Sequence, residues 1–246
     1  MSEQPQDTGT PKPLDLREKG APRNGVPQTC DRRLFMQFVA FGDCGDSAPL
    51  VGALTSTGLE SVVYADAHDP RGVGVLVMAE EPAAFVTTLR EAFLKPPLVL
   101  LRQKPEYAML GRTYSSGYEP DLEDWLLRRP RRVVLDPAAA WAVWYPLRRS
   151  GAFAALSAEE QNAILREHGR IGHLFGDSGH LHDIRLACFG LDRDDNDFVI
   201  GLLGRDLHAL SACVQAMRAT RQTSQYITRM GPFFVGRAVW QSPIRS

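Results

Sequence analysis

Apolar runs of strand length and amphipathic stretches of helical length follow one order along this chain, and that order occurs twice. In the first half, 33–41 (RLFMQFVAF) has strand composition and 46–56 reads as a short helix capped by an Asp or Ser. Strands at 61–65 (SVVYA) and 72–78 (GVGVLVM) flank a turn-like HDPR, and a helix over 80–94 places Phe85, Leu89, Ala92 and Phe93 on one side. The run 98–101 (LVLL) closes the set as a fourth strand. The second half gives a strand at 140–147 (AWAVWYPL), a helix from 158 to about 174 and strands at 184–189 and 198–203 around the polar turn DRDDND. A helix at 207–217 and a strand at 233–240 complete it. Each half is therefore β-α-β-β-α-β, the split βαβ arrangement in which two helices cover one face of a four-stranded antiparallel sheet. The expected class is α+β, built from two ferredoxin-like units at 30–103 and 139–246. Residues 1–29 read as a flexible or loosely wrapped proline-rich arm and 104–138 as a linker with a basic end.

A chain of 246 residues is long enough for two such units sharing a core. Its 28 basic and 29 acidic side chains leave a net charge of −1, too weak a field to steer it onto nucleic acid or anionic lipid, so a small-molecule partner is expected. Cys30, Cys44, Cys188 and Cys213 show no CxxC pairing and no nearby histidine at zinc-finger spacing, and read as reduced thiols. The N-terminal residues lack the apolar core of a secretory signal, and the apolar stretch 133–147 is broken by Asp136 and too short to span a bilayer. A cytoplasmic location is expected.

His168 carries the chemistry most worth arguing. Its helix opens with Ser157 and Glu160 in capping-box spacing, and Ile164, Leu165, Ile171 and Phe175 are expected to wall the imidazole with apolar side chains. Neutral imidazole is the commonest metal and haem ligand, and such walls suit a flat apolar cofactor. The alternative is a core histidine hydrogen-bonded to backbone. Gly169, directly after it, costs the helix about 1 kcal/mol relative to alanine, which suits either a flat group against the backbone or close approach of a neighbouring helix. His68, His173, His180, His182 and His208 are expected in solvent.

Two further clusters accompany it. In WYPLRR (144–149), Tyr145 offers a redox-active phenol and Arg149 a guanidinium fork for a carboxylate; the alternative is an edge strand blunted by Pro146 with solvated arginines. The segment 217–237 offers Arg218, Thr220, Thr223 and Ser224 to an anion, or is simply a helix C-terminus whose cations suit the dipole.

The motifs DLEDWLL, W-Y-P followed by basic residues, LSAEEQNAILREHG, GLDRDDNDF, and MR followed by Y and GPFFVG resemble, in order and spacing, the chlorite dismutase superfamily of haem proteins, which includes the coproheme decarboxylases. The resemblance covers residues 30–242, in the first half by element order alone. It implies a dimeric α+β barrel within one chain, usually assembled into a pentameric ring, with haem b or iron-coproporphyrin as cofactor and His168 on the iron. It implies that Tyr145 abstracts hydrogen from a porphyrin propionate and that Arg131, Arg149, Arg218 and Thr223 anchor propionates, Arg149 replacing the usual lysine. Where decarboxylases often carry a distal glutamine and chlorite dismutases an arginine, Asp183 is aligned, with Arg185 on the same strand face two residues on. The acidic residue that usually orients the proximal histidine has no counterpart; Arg221 or Gln222 falls there. The expected activity is peroxide-dependent coproheme decarboxylation. The rivals are chlorite dismutation with Arg185 as the distal cation, and a non-catalytic haem-binding or structural barrel in which His168 is core.

Overall fold

In the computed structural model, which describes residues 13–244, the chain begins with a hairpin of β1 (Glu18–Arg23) and β2 (Val26–Cys30). The first unit follows as β3 (Phe35–Gly42), α1 (Ala48–Thr57), β4 (Glu60–Asp66), β5 (Val73–Ala79), α2 (Ala83–Val86), α3 (Thr88–Phe93) and β6 (Arg102–Arg112). A π-helical turn (Asp124–Arg128) runs directly into α4 (Arg129–Val134). The second unit is β7 (Trp141–Arg149), α5 (Gly151–Ala154), α6 (Ala158–Asp177), β8 (Leu181–Ala187), β9 (Phe198–Gly204), α7 (Leu207–Arg218), a second π-helical turn (Gln222–Tyr226), β10 (Ile227–Met230) and β11 (Phe234–Gln241).

The strand orders β4-β5-β3-β6 and β11-β7-β9-β8 are those of two ferredoxin-like units. They join edge to edge. One seam runs from Gly236↔Asp66 to Gln241↔Val62 between β11 and β4; the other is the single pair Arg112↔Ala187 between β6 and β8. The result is a closed barrel with β10 lying beside β7. Closure removes the unpaired edges that an open sheet would expose. The interior is aromatic: Phe38 contacts Phe234 at 4.7 Å and Trp144 at 6.2 Å between ring centroids. Gly74 makes room for them, since a Cβ there would sit 2.6 Å from both Phe38 and Phe234.

Three expectations need correction. Residues 18–30 are not a loose arm: Asn24 and Gly25 take positive φ (53° and 78°), the geometry of a two-residue hairpin turn. The Gln28 amide links the two strands through the Ala21 oxygen at 2.6 Å and ties the hairpin to the Pro120 oxygen at 3.0 Å. The first twelve residues of that predicted arm lie outside the described residues. Second, 98–101 is no strand; Leu98–Leu100 is a 3-10 turn, and the closing strand is β6, which lies mostly inside the predicted linker. Its pattern was hidden because Lys104 is buried between Asp66 (2.9 Å) and Asp69 (2.7 Å), and because register slips from Phe38↔Met109 to Ala40↔Lys104. The rest of the predicted linker contributes Leu122, Leu126, Leu127, Val133 and Val134 to the barrel core. Third, the helix at 80–94 is broken into α2 and α3 at Thr87, whose hydroxyl donates back to the Ala83 carbonyl at 2.9 Å.

The outer faces differ in a way that positions the site. On the first unit, Leu50 and Leu54 of α1, with Phe85 and Leu89, cover Val39, Val63, Val75 and Val77, each fully buried side chain contributing about 1.5–3 kcal/mol. On the second, α7 supplies Leu210 and Cys213, whereas α6, twenty residues long, buries Ile164 alone among the described residues. The capping box holds its first turn: Ser157 Oγ accepts from the Glu160 amide, and the Glu160 carboxylate accepts from the Ser157 amide at 3.1 Å. No helix among the described residues is long and apolar enough to cross a membrane.

Candidate functional site

α6 presents Ile164, His168 and Ile171 at spacings of four and three residues, one face of the helix. That face is turned to the outer surface of the second sheet, where alternation brings Val143, Tyr145 and Leu147 out while Ala142 and Trp144 point into the barrel. His168 is partly buried, and its Nδ1 lies 3.0 Å from Thr220 Oγ1 in the turn after α7. Burial, assisted by the charges of Arg185 and Arg149, lowers its pKa to about 4 against the opposing pull of Asp183 and Glu167, so the imidazole is neutral at ordinary pH. Glu167 accepts the Arg221 amide at 3.2 Å, which ties α6 to that same turn.

Tyr145 is 5% exposed, and burial raises its phenol pKa well above the ordinary value, with the charge of Arg218 working in the opposite direction. Arg149 extends past the end of β7 between two rings, 4.3 Å from Phe153 and 5.0 Å from Phe198. Its Nε is buried without a hydrogen-bond partner, and burial lowers its pKa. Asp183 is held as an anion from two sides: Arg129 Nη2 reaches Oδ1 at 3.1 Å and Arg185 Nε reaches Oδ2 at 3.0 Å, which together outweigh the effect of burial on its pKa.

His168 thus lies within electrostatic reach of Arg149, Asp183 and Arg185, and Tyr145 within reach of Asp183 and Arg218, so Asp183 is common to both sets; Thr223 Oγ1 is 3.4 Å from Thr220 Oγ1. Arg131 does not join them. Its guanidinium is taken by Glu60 at 2.6 Å and Glu80 at 3.1 Å, on the first unit. Arg129, two residues earlier, is the arginine of that basic run which faces the site, because the helical turn carries 129 and 131 to different sides. The sequence reading also missed Trp125, which stacks under Arg129 at 4.7 Å and Arg185 at 5.3 Å, and Tyr114, a largely buried phenol beside Phe198. A cavity of about 10 Å³ borders Tyr114, Trp125, Arg129 and Arg185. The hydrogen-bond partner of His168 is neither Arg221 nor Gln222 but Thr220.

A Cβ on Gly169 would meet nothing within 4 Å, so no neighbouring helix accounts for that glycine. The other five histidines are exposed, as expected, and all four cysteines are free. The described residues contain no cluster of three or more His, Cys, Asp or Glu able to hold a metal ion.

No curated protein matches the chain. Solved structures do. A haem-binding protein from Thermus thermophilus is 17% identical with a TM-score of 0.66, over 84% of this chain and 91% of that one. Chlorite dismutase from Candidatus Nitrospira defluvii, in complex with imidazole, is 16% identical with a TM-score of 0.62, over 87% of this chain and 93% of that one. Such likenesses establish the double ferredoxin-like fold. The family model described as chlorite dismutase matches residues 71–239, well over half of the chain and every element around His168. On that match, made with the fold that the strand order independently requires, the chain belongs to the chlorite dismutase family.

Proposed function

We propose that the protein is a haem-dependent oxidoreductase in which His168 is the axial ligand, and that its reaction is the peroxide-dependent decarboxylation of porphyrin propionates. The observation that carries the reading is a partly buried His168 on the sheet-facing side of its helix, within electrostatic reach of Arg149, a partly buried guanidinium whose Nε has no hydrogen-bond partner. The residues fit the group. His168 offers a nitrogen lone pair, no neighbouring atom crowds Gly169 beside it, and Arg149, Arg218 and Thr223 offer donors to carboxylates. When bound, haem iron supplies the redox centre through which peroxide acts as oxidant.

The chain's own residues do the rest. Arg149 and Arg218 hold propionates as anions, which orients the side chain that reacts. Tyr145, fixed against Phe233, supplies the phenolic O–H of a hydrogen relay to that side chain. Each propionate that becomes a vinyl group loses carbon dioxide, a proton and two electrons, the electrons passing to peroxide. The test is reconstitution with iron coproporphyrin followed by peroxide, read by mass spectrometry of the porphyrin. Vinyl-bearing product supports the reading, and loss of porphyrin binding in His168→Ala supports the ligand assignment. An unchanged Soret band and stoichiometry in that variant would overturn it.

Arg185 favours a second reading, chlorite decomposition. It sits beside Arg129 at a carboxylate shared by both, so the group carries a net positive charge suited to retaining an oxyanion. Oxygen evolution from chlorite, without porphyrin decarboxylation, would promote it.

A further inference from the structure

The contact between His168 and Thr220 constrains which nitrogen of the imidazole carries the proton. Thr220 Oγ1 lies 2.7 Å from the Met217 carbonyl oxygen and 3.0 Å from His168 Nδ1. A hydroxyl has one hydrogen to give, and a carbonyl can only accept. The shorter contact therefore takes the Thr220 hydrogen, and His168 Nδ1 must be the donor to Thr220 Oγ1. The Thr223 amide, 3.5 Å from the same oxygen, is also a donor and leaves that assignment intact. With the proton on Nδ1, the lone pair resides on Nε2.

Thr220 is itself held in place. Its backbone amide donates to the Met217 carbonyl at 3.1 Å, its carbonyl accepts from the Ser224 amide at 2.9 Å, and Glu167 pins the next residue's amide to α6. The hydroxyl is thus presented to His168 from a turn fixed on both sides.

We infer that Thr220 is a positioning residue that fixes His168 in the Nδ1–H tautomer, and that its hydroxyl, being neutral, leaves Nε2 a weaker donor to iron than an anionic partner would. The second half rests on the haem reading above; the first does not. A ring N–H given to a carboxylate is strongly polarised, which raises the basicity of the opposite nitrogen and stabilises the higher oxidation state of a bound metal. A neutral hydroxyl does this less, so the iron is held at a more positive potential.

The test uses the full chain. In apoprotein with ¹⁵N-labelled histidine, His168 should show a protonated Nδ1 and a bare Nε2, Thr220→Ser should preserve that pattern, and Thr220→Val should lose it. After loading with ferric haem b, Thr220→Val should weaken binding roughly 10- to 100-fold. Thr220→Asp should shift the midpoint potential downward and raise the iron–histidine stretching frequency of the ferrous form. A proton on Nε2 in the wild-type apoprotein, which needs no variant to fold, overturns the tautomer. Unchanged potential and stretch in a folded, haem-loaded Thr220→Asp variant overturn the electronic role. Wild-type protein with the expected tautomer that takes up neither haem b nor iron coproporphyrin overturns the haem reading instead, and the two failures are distinct.

Discussion

The phenol ring of Tyr145 lies on the face of Phe233, their centroids 4.4 Å apart and their planes inclined by 22°. Tyr145→Phe keeps that stack and removes only the O–H. We expect a change in folding stability of no more than about 1 kcal/mol, normal binding of iron coproporphyrin, and no vinyl product on addition of peroxide. Product analysis by mass spectrometry decides it; undiminished decarboxylation would remove the phenol from the mechanism.

Arg149→Met deletes a partly desolvated cation while filling the same space between Phe153 and Phe198. The apoprotein should be as stable as the wild type or more so, because a charge with an unsatisfied Nε has been removed from a poorly solvated site. Affinity for a carboxylated porphyrin should fall by about 1.5–3 kcal/mol, the worth of a charge-assisted hydrogen bond. Arg218→Ala should act in the same direction. Titration against an esterified porphyrin is the control, since equal weakening of both ligands would make these arginines structural.

Gly169 gives opposite effects on the two forms of the protein. Gly169→Ala should stabilise the apoprotein by up to about 1 kcal/mol through helix propensity alone, as nothing lies within 4 Å of the new methyl. Gly169→Leu should reduce haem uptake by occupying the ring's side of the helix. Urea denaturation and haem titration, run on the same preparations, read the two effects separately.

The lowered pKa of His168 makes apoprotein stability depend on pH. Its folded value is about 4, while an unfolded histidine titrates near pH ~6.5. Below the latter the unfolded chain takes up a proton that the native site refuses, so stability falls as pH drops from about 6.5 towards 4 and levels off below. His168→Phe should flatten that part of the profile. Urea midpoints measured across the window give the slope, and an unaltered slope in the variant would assign it to other groups.

Arg185 distinguishes the two reactions. Its pairing with Asp183 at 3.0 Å is one of two ion pairs on that carboxylate, so Arg185→Ala leaves Asp183 held by Arg129 and the local fold intact. Decarboxylation should survive this change. Chlorite turnover, measured by oxygen evolution, should be lost if chlorite is a substrate.

Most of the element order was readable in advance because burial on one face writes a periodicity of 2 or 3.6 into neighbouring residues. The α6 capping box is local in the same sense, joining Ser157 to Glu160, and so were the face that carries His168 and the strand that carries Tyr145. Even the hairpin missed at the N-terminus had its Asn24-Gly25 signal in plain view.

What the chain could not announce depends on partners remote in sequence. β6 looked like linker because its Lys104 is made tolerable inside only by Asp66 and Asp69, some 35 residues earlier. The selection of Arg129 over Arg131 follows from which side of a π-to-α turn meets Asp183 and which meets Glu60 and Glu80. Thr220 was read merely as one more hydroxyl for an anion, since its contact with His168 spans 52 residues and exists only once α7 and α6 lie on the same sheet. Local pattern therefore determined the parts and their faces. Barrel closure, which sets ion pairs and hydrogen bonds at distances of a few ångströms between segments far apart in the chain, determined which side chains make the site.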